Sequence, residues 1–280
     1  MGPRRRAHRR DPAHPRGRSV LSAEGPLEQL RRCVAEGLPL APVHAAVGAR
    51  LTAIEPGRAD AVMPGADGEP DAALEPALWL LADFVSGLAV TGTLGAGERI
   101  TTLRLTLHVL RRDPAPGPLR AAGCLDERAP DVALSTAEIA DAAGRTIARA
   151  HGRNAVLADE VATRTRPGAA PPWSDPPRSA AGLVTDRAAP DPLAVNYAGV
   201  VQGGVLASLP ARALADVLGG PPDEASATFL RAVPADGRAV HTATEVEHGG
   251  RRLRSGRAVL CDNRDRTVLT LSGLRYVAGT

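Results

Sequence analysis

Ala77-Leu-Trp79-Leu-Leu-Ala-Asp83-Phe84-Val-Ser-Gly-Leu-Ala-Val-Thr-Gly-Thr93 is a run of seventeen residues with one charge, Asp83. A helix that is apolar on nearly every side belongs in a core. What surrounds it has the other periodicity. Leu103-Arg-Leu-Thr-Leu-His-Val109 alternates apolar and polar residues, as a half-buried strand does. Further strands are read at 118–124, 132–140 and 146–156, and a hairpin precedes the helix at 47–54 and 58–63. One long helix laid on antiparallel strands is an α+β layer.

The same order recurs later in the chain. A second apolar helix is expected from Val205 to about Leu218, with Pro210 inside it to kink it or shift its start. Strands are expected at 225–233, 240–247, 253–261 and 267–277. Residues 137–156 and 258–277 align without gaps, with identical pairs at Ala137/Ala258, Asp141/Asp262, Arg145/Arg266, Thr146/Thr267, Gly152/Gly273 and Val156/Val277. Both stretches read strand, polar turn, strand. A repeat at domain length points to internal duplication. Between the halves, residues 163–178 hold five prolines, which neither a helix nor a central strand tolerates. The division expected is a basic tail at 1–25, domains at 26–162 and 179–280, and a linker at 163–178.

Composition narrows the function classes. The net charge is +3, no lysine occurs, and seven arginines crowd the first eighteen residues. Without that tail the chain is near neutral, which argues against nucleic acid as its partner. Aromatic residues make up 2%, too few for base-stacking platforms. No apolar run reaches the roughly 18 uninterrupted residues a membrane span needs. Cys33, Cys124 and Cys261 are scattered, with no zinc spacing, and fit a reducing, cytoplasmic setting. No P-loop or dinucleotide fingerprint occurs. His44, His108, His151 and His241 lack triad or metal partners at sensible spacing and read as structural or surface groups.

Two features carry chemistry. A lone carboxylate in a buried helix, Asp83, must be paired, hydrogen-bonded or shifted in pKa, and such groups gather at functional sites. The second feature is Asn196-Tyr-Ala-Gly-Val-Val-Gln202-Gly203-Gly204, leading into an apolar helix. Glycines there let a ligand approach the backbone, and the first helical amides form a positive, donor-rich end that polarises a carbonyl.

Together these residues resemble the hotdog-fold thioesterases, in particular the phenylacetate-pathway type. That pattern is an Asn, a His or similar residue six positions on, Gly-Gly opening the central helix, an acid nine positions after the His, and a hydroxyl about eighteen further. Here it is divided between the halves. Asn196, Gln202, Gly203 and Gly204 come from the second half, whose acid position is Ala211. Asp83 and Thr101 come from the first half, whose Asn and His positions are Gly68 and Leu74, with Glu75-Pro76 in place of the glycines. One composite site is complete and its mirror image is dead. The resemblance implies two tandem hotdog domains, each a long central helix wrapped by an antiparallel sheet, and hydrolysis of an acyl-CoA thioester without metal or cofactor. Gly203 N–H would polarise the thioester. Asp83 would serve as general base or nucleophile, Thr101 or Thr102 would hold the water, and Asn196 and Gln202 would orient water and thioester. Gln202 departs from the commoner His and carries no proton. Trp79 and Phe84 would line the core or acyl pocket. Arg251 and Arg254, in the segment from His248 to Arg254, would meet the coenzyme A phosphates. Two chains would pair further through exposed sheet edges or faces. The rivals are an acyl-CoA-binding protein without turnover, a hotdog hydratase, and a nucleic-acid module acting through the arginine tail.

Overall fold

A computed structural model describes residues 25–65, 74–158, 172–183 and 185–277. The basic tail, Gly68 and the first part of the Pro-rich linker lie outside these residues. The chain forms α1 (Pro26–Glu36), α2 (Pro42–Val47), β1 (Arg50–Glu55), β2 (Arg58–Met63), α3 (Leu74–Thr91), β3 (Glu98–Val109), β4 (Leu119–Arg128), β5 (Val132–Ala140), β6 (Thr146–Ala158), α4 (Gly203–Leu218), β7 (Glu224–Phe229), β8 (Val240–Gly249), β9 (Leu253–Asp262) and β10 (Thr267–Tyr276). All ten strands join one sheet in the order β1-β2-β4-β5-β6-β3-β7-β10-β9-β8. This is an α+β hotdog architecture. In each half the strand after the helix sits innermost, and the next three return to it from the outside in: β4-β5-β6-β3 on one side, β8-β9-β10-β7 on the other. The halves meet where β3 pairs antiparallel with β7, Leu105 opposite Ala227.

The repeat has a physical basis in its two polar turns. The Asp141 carboxylate accepts from the amides of Ala143 and Arg145 and from the Arg145 guanidinium. Asp262 accepts from the amides of Arg264 and Arg266 and from the Arg266 guanidinium. Asp141 alone also takes the Ala115 amide. These hydrogen bonds, that of Ala115 foremost for Asp141, hold both carboxyls down at about 2. Their contribution to stability is therefore present above the ordinary carboxylate pKa of about 3.9 and lost as pH falls toward 2. Asp141→Ala should lower the Tm more than Asp262→Ala, because Asp141 is fully buried and leaves the additional Ala115 amide unpaired. A thermal melt of the two variants at neutral pH checks this.

The aligned glycines relieve different contacts. A Cβ on Gly152 would stand 2.8 Å from Ser135 Oγ on the neighbouring β5, and one on Gly273 would stand 2.7 Å from Leu214 Cδ2 of α4. Helix α3 is apolar and long enough to cross a membrane, but 89% of it is buried inside the fold, as a core helix is.

Two sequence expectations change. Residues 47–49 are not strand. Instead Pro26…Gly37 and Pro42…Gly48 bracket two short helices, with proline in the first turn and a left-handed glycine (φ 65° and 71°) after the last. Leu103 does not continue the inward row of Leu105 and Leu107. The β3–β6 register shifts between Thr102 and Arg104, and Leu103 turns outward, 37% exposed. The described end of the linker runs back over the N-terminal helices, where Trp173 Nε1 donates to the Gly37 carbonyl at 3.1 Å and the Ser174 amide to that of Ala45 at 3.0 Å.

Candidate active site

Asp83 sits at the crossing of α3 and α4, with every close partner supplied by another element. Gln202 Nε2 donates to its Oδ2 at 2.6 Å and the Gly204 amide to the same oxygen at 3.2 Å. Thr102 Oγ1 donates to Oδ1 at 3.1 Å. Burial raises the Asp83 pKa, opposed by Thr102, the Gly204 and Gly203 amides and Gln202. The charge is thus desolvated yet gripped by donors, the combination that keeps a buried carboxylate ionisable. Thr102 holds Oδ1, and Gln202 and Gly204 hold Oδ2.

Helix α4 can deliver its first amides only because of its glycines. A Cβ on Gly204 would lie 2.1 Å from the Trp79 carbonyl oxygen, and one on Gly203 3.0 Å from Asp83 Oδ2. Gln202 is the N-cap: its Oε1 accepts the Val205 amide at 2.9 Å while its Nε2 holds Asp83. Both ends of its amide are spent inside the protein, so Gln202 positions the carboxylate rather than water or thioester. Asn196 behaves similarly. Its Oδ1 accepts the Ala198 amide at 2.9 Å and closes the turn that leads to Gln202.

The carboxylate opens on a cavity of about 530 Å³ between the halves. Its wall includes Asp83, Phe84, Gly87, Leu88 and Thr91, successive positions on one face of α3 that span about 12 Å. Facing them are Asn196, Tyr197, Val201, Gln202, Gly203 and Leu206 from the second half. At the far end the Tyr197 hydroxyl reaches Thr91.

The structure narrows some expected assignments and changes others. Thr101 lines the cavity but does not touch Asp83; the β3 bulge turns Thr102 inward instead, and one step along a strand reverses the face. Trp79 is wholly buried and its backbone abuts Gly204, so it is core and not cavity wall. Arg254 Nη1 donates to the Leu218 carbonyl at 2.9 Å, capping the C-terminus of α4 about 22 Å from Gly203. Arg251 is exposed in the β8–β9 turn. The guanidinium residues in the cavity wall are Arg99 and Arg231. His44, expected to be structural or at the surface, also lines the cavity. Its helix lies outside both repeats, so motif spacing had no means of finding it.

At the mirror-related position, Ala211 and Leu74 are buried in the places that correspond to Asp83 and Gln202. Glu75 occupies the place of Gly203, and burial pushes its carboxyl up to about 7, partly offset by Arg112. Folding therefore takes up a proton between about 4.3 and 7, and stability falls as pH rises through that window. Glu75→Gln should flatten this part of the stability profile and raise the Tm at pH 8, measured by thermal melts across pH. Among the described residues, no group of three or more His, Cys, Asp or Glu is placed to hold a metal ion.

No family model and no curated protein sequence matches the chain. Solved structures do resemble it. The 12:0-ACP thioesterase from Umbellularia californica is 13% identical over 65% of this chain and 74% of its own, with a TM-score of 0.46. A thioesterase family protein from Silicibacter pomeroyi is 20% identical over 48% of this chain and 99% of its own, at 0.39. The PaaI protein of the Escherichia coli phenylacetic acid degradation operon is 18% identical over 49% of this chain and 96% of its own, at 0.40. At these identities and scores the likeness assigns no activity to this chain.

Proposed function

We propose that the chain is a double-hotdog thioesterase that hydrolyses an acyl-CoA to the free acid and coenzyme A at one composite site per chain. The observation that carries this reading is Asp83, a buried carboxylate from one half held by Gln202 and Gly204 of the other, beside helix-terminal amides and an elongated cavity.

The acyl chain lies along the α3 face from Asp83 toward Thr91, with its thioester carbonyl toward the Gly203 amide. Water held by Thr102 beside Asp83 Oδ1 attacks the carbonyl carbon as Asp83 takes its proton. The oxyanion is stabilised by Gly203 N–H at the positive end of α4. Collapse breaks the C–S bond, and the thiolate recovers the proton from Asp83. Gln202 keeps the carboxylate aimed throughout, so the absence of a histidine does not interrupt proton transfer. Arg99 and Arg231 are the cations suited to the phosphates of coenzyme A. The fused halves act as a built-in dimer, with a cytoplasmic setting and further pairing of chains as parts of the same proposal.

The test is thiol release from a panel of aliphatic and aromatic acyl-CoAs. Steady turnover of at least one supports the reading, and none from any thioester, with binding retained, leaves an acyl-CoA-binding protein. The pH profile supplies a second check. Burial raises Asp83, so the acid limb of kcat/KM should lie above the ordinary carboxylate value of about 3.9. Thr102→Val removes a donor to the charged form and should move that limb further up, while Thr101→Val leaves it in place.

A further inference from the structure

Of the eighteen residues of α3, all are buried but two, Asp83 and Gly87. They stand about one turn apart on the face that lines the cavity. Asp83 serves the proposed reaction; Gly87 serves no part of it. Glycine inside a helix is disfavoured relative to alanine, and packing does not require it here. Beyond its own helix, a Cβ on Gly87 would have one described atom within 4 Å, Ile100 Cδ1 at 3.7 Å, an ordinary contact. Gly204 is the opposite case, where a Cβ would collide with the Trp79 backbone. What the missing side chain leaves is therefore open room in the cavity. The hydroxyls one turn further on are already engaged. Thr91 Oγ1 donates to the Gly87 carbonyl at 2.9 Å, and the Tyr197 hydroxyl reaches Thr91. Leu40, Leu88, Val201 and Leu206, all buried, add apolar wall. Arg99, Thr101 and Arg231 are exposed members of the same wall.

We infer that Gly87 is a specificity-determining residue: the room it leaves lets a straight alkyl chain run past it, making acyl groups of about six to ten carbons the preferred substrates. This inference rests on the thioesterase reading of the same cavity. The length follows from the helix. Gly87 lies about 6 Å and Thr91 about 12 Å along α3 from Asp83. An extended chain with C–C bonds of about 1.5 Å covers those distances in roughly five and ten carbons. Shorter acyl groups stop before Gly87, and longer ones meet the Thr91–Tyr197 pair. The arm of coenzyme A carries amides and leads to phosphates, so it belongs at the exposed rim and not against carbon. Gly87 touches no reacting atom, so its effect falls on discrimination between chain lengths.

The experiment compares butyryl-, octanoyl- and tetradecanoyl-CoA. Hydrolysis is measured in the full-length wild-type chain, and Kd in an Asp83→Asn background that blocks turnover. Octanoyl-CoA should exceed butyryl-CoA about tenfold or more in both kcat/KM and affinity, because it buries four further methylenes. Gly87→Leu, which puts a side chain into that room, should bring the ratio to about one, and Gly87→Ala should lower it in part. Alanine also favours the helix, so the Tm of Gly87→Ala should not fall. An octanoyl-to-butyryl ratio unchanged in both variants, or no length preference in the parent, overturns the inference while leaving the thioesterase reading intact. So does an equal loss at every length in Gly87→Leu, which would put the coenzyme A arm over Gly87. Absence of both hydrolysis and binding for every acyl-CoA overturns both. Binding without turnover overturns the thioesterase reading, and the Kd ratios then decide the role of Gly87. If Gly87→Leu does not fold, the ratio in Gly87→Ala decides.

Discussion

Asp83→Asn should fold as well as the parent and hydrolyse thioesters at least about a hundredfold more slowly. The separation of the two effects follows from geometry. Asparagine Oδ1 can take the place of Asp83 Oδ2 and accept from Gln202 and Gly204, while Nδ2 donates to Thr102 Oγ1, so no buried donor is orphaned. What disappears is the proton acceptor, together with the cost of keeping a charge out of water, the cause that raises the Asp83 pKa. The Tm of Asp83→Asn should therefore equal or exceed that of the parent. Thiol release and a thermal melt on the same preparation check both halves of the expectation. A variant that loses activity and stability together would mean that Asp83 is a structural hydrogen-bond acceptor and not a base.

Gly204→Ala should have the largest effect on stability, about 3 kcal/mol or more by urea denaturation. Its Cβ would lie 2.1 Å from the Trp79 carbonyl oxygen and 2.7 Å from Leu80 Cα, backbone atoms that move only if α3 and α4 separate. Alanine improves helix propensity by about 1 kcal/mol, which does not offset a clash of that depth. Separation also draws the Gly204 amide away from Asp83, so activity falls with stability. Gly203→Ala is a useful contrast. The three atoms nearest its Cβ all belong to the Asp83 carboxylate, at 3.0 to 3.3 Å, so it should disturb the site more than the fold.

Much of this arrangement was legible in the residues. The apolar run around Asp83 marked the central helix because burial on nearly all sides leaves Asp83 as the one charge between Ala77 and Thr93. The Asp141 and Asp262 turns exposed the repeat because a buried or half-buried turn carboxylate fixes its Arg partner four residues on. Division of the motif between Asp83 and the Gln202–Gly204 stretch anticipated that these residues meet, an expectation that needs only spacing along two helices. The rest depended on events that leave no local periodicity. A single bulged residue in β3 exchanged Thr102 for Thr101, and counting positions does not detect a bulge. Arg254 carries no sign in its neighbours that the C-terminus of α4 is what it faces; that contact joins residues far apart in the chain. Helices α1 and α2 are short, and their markers are the prolines and glycines that also punctuate loops. His44 therefore reached the cavity by a route that only the folded chain displays.

The two halves are proposed to build a single site together. Calorimetric titration of the Asp83→Asn chain with an acyl-CoA, or of wild type with a non-hydrolysable thioether analogue, measures this as a stoichiometry. One ligand per chain, with binding weakened by Gly203→Ala, is the predicted result. Two equivalent ligands per chain would contradict it, since the mirror position holding Glu75, Leu74 and Ala211 would then be a working site as well.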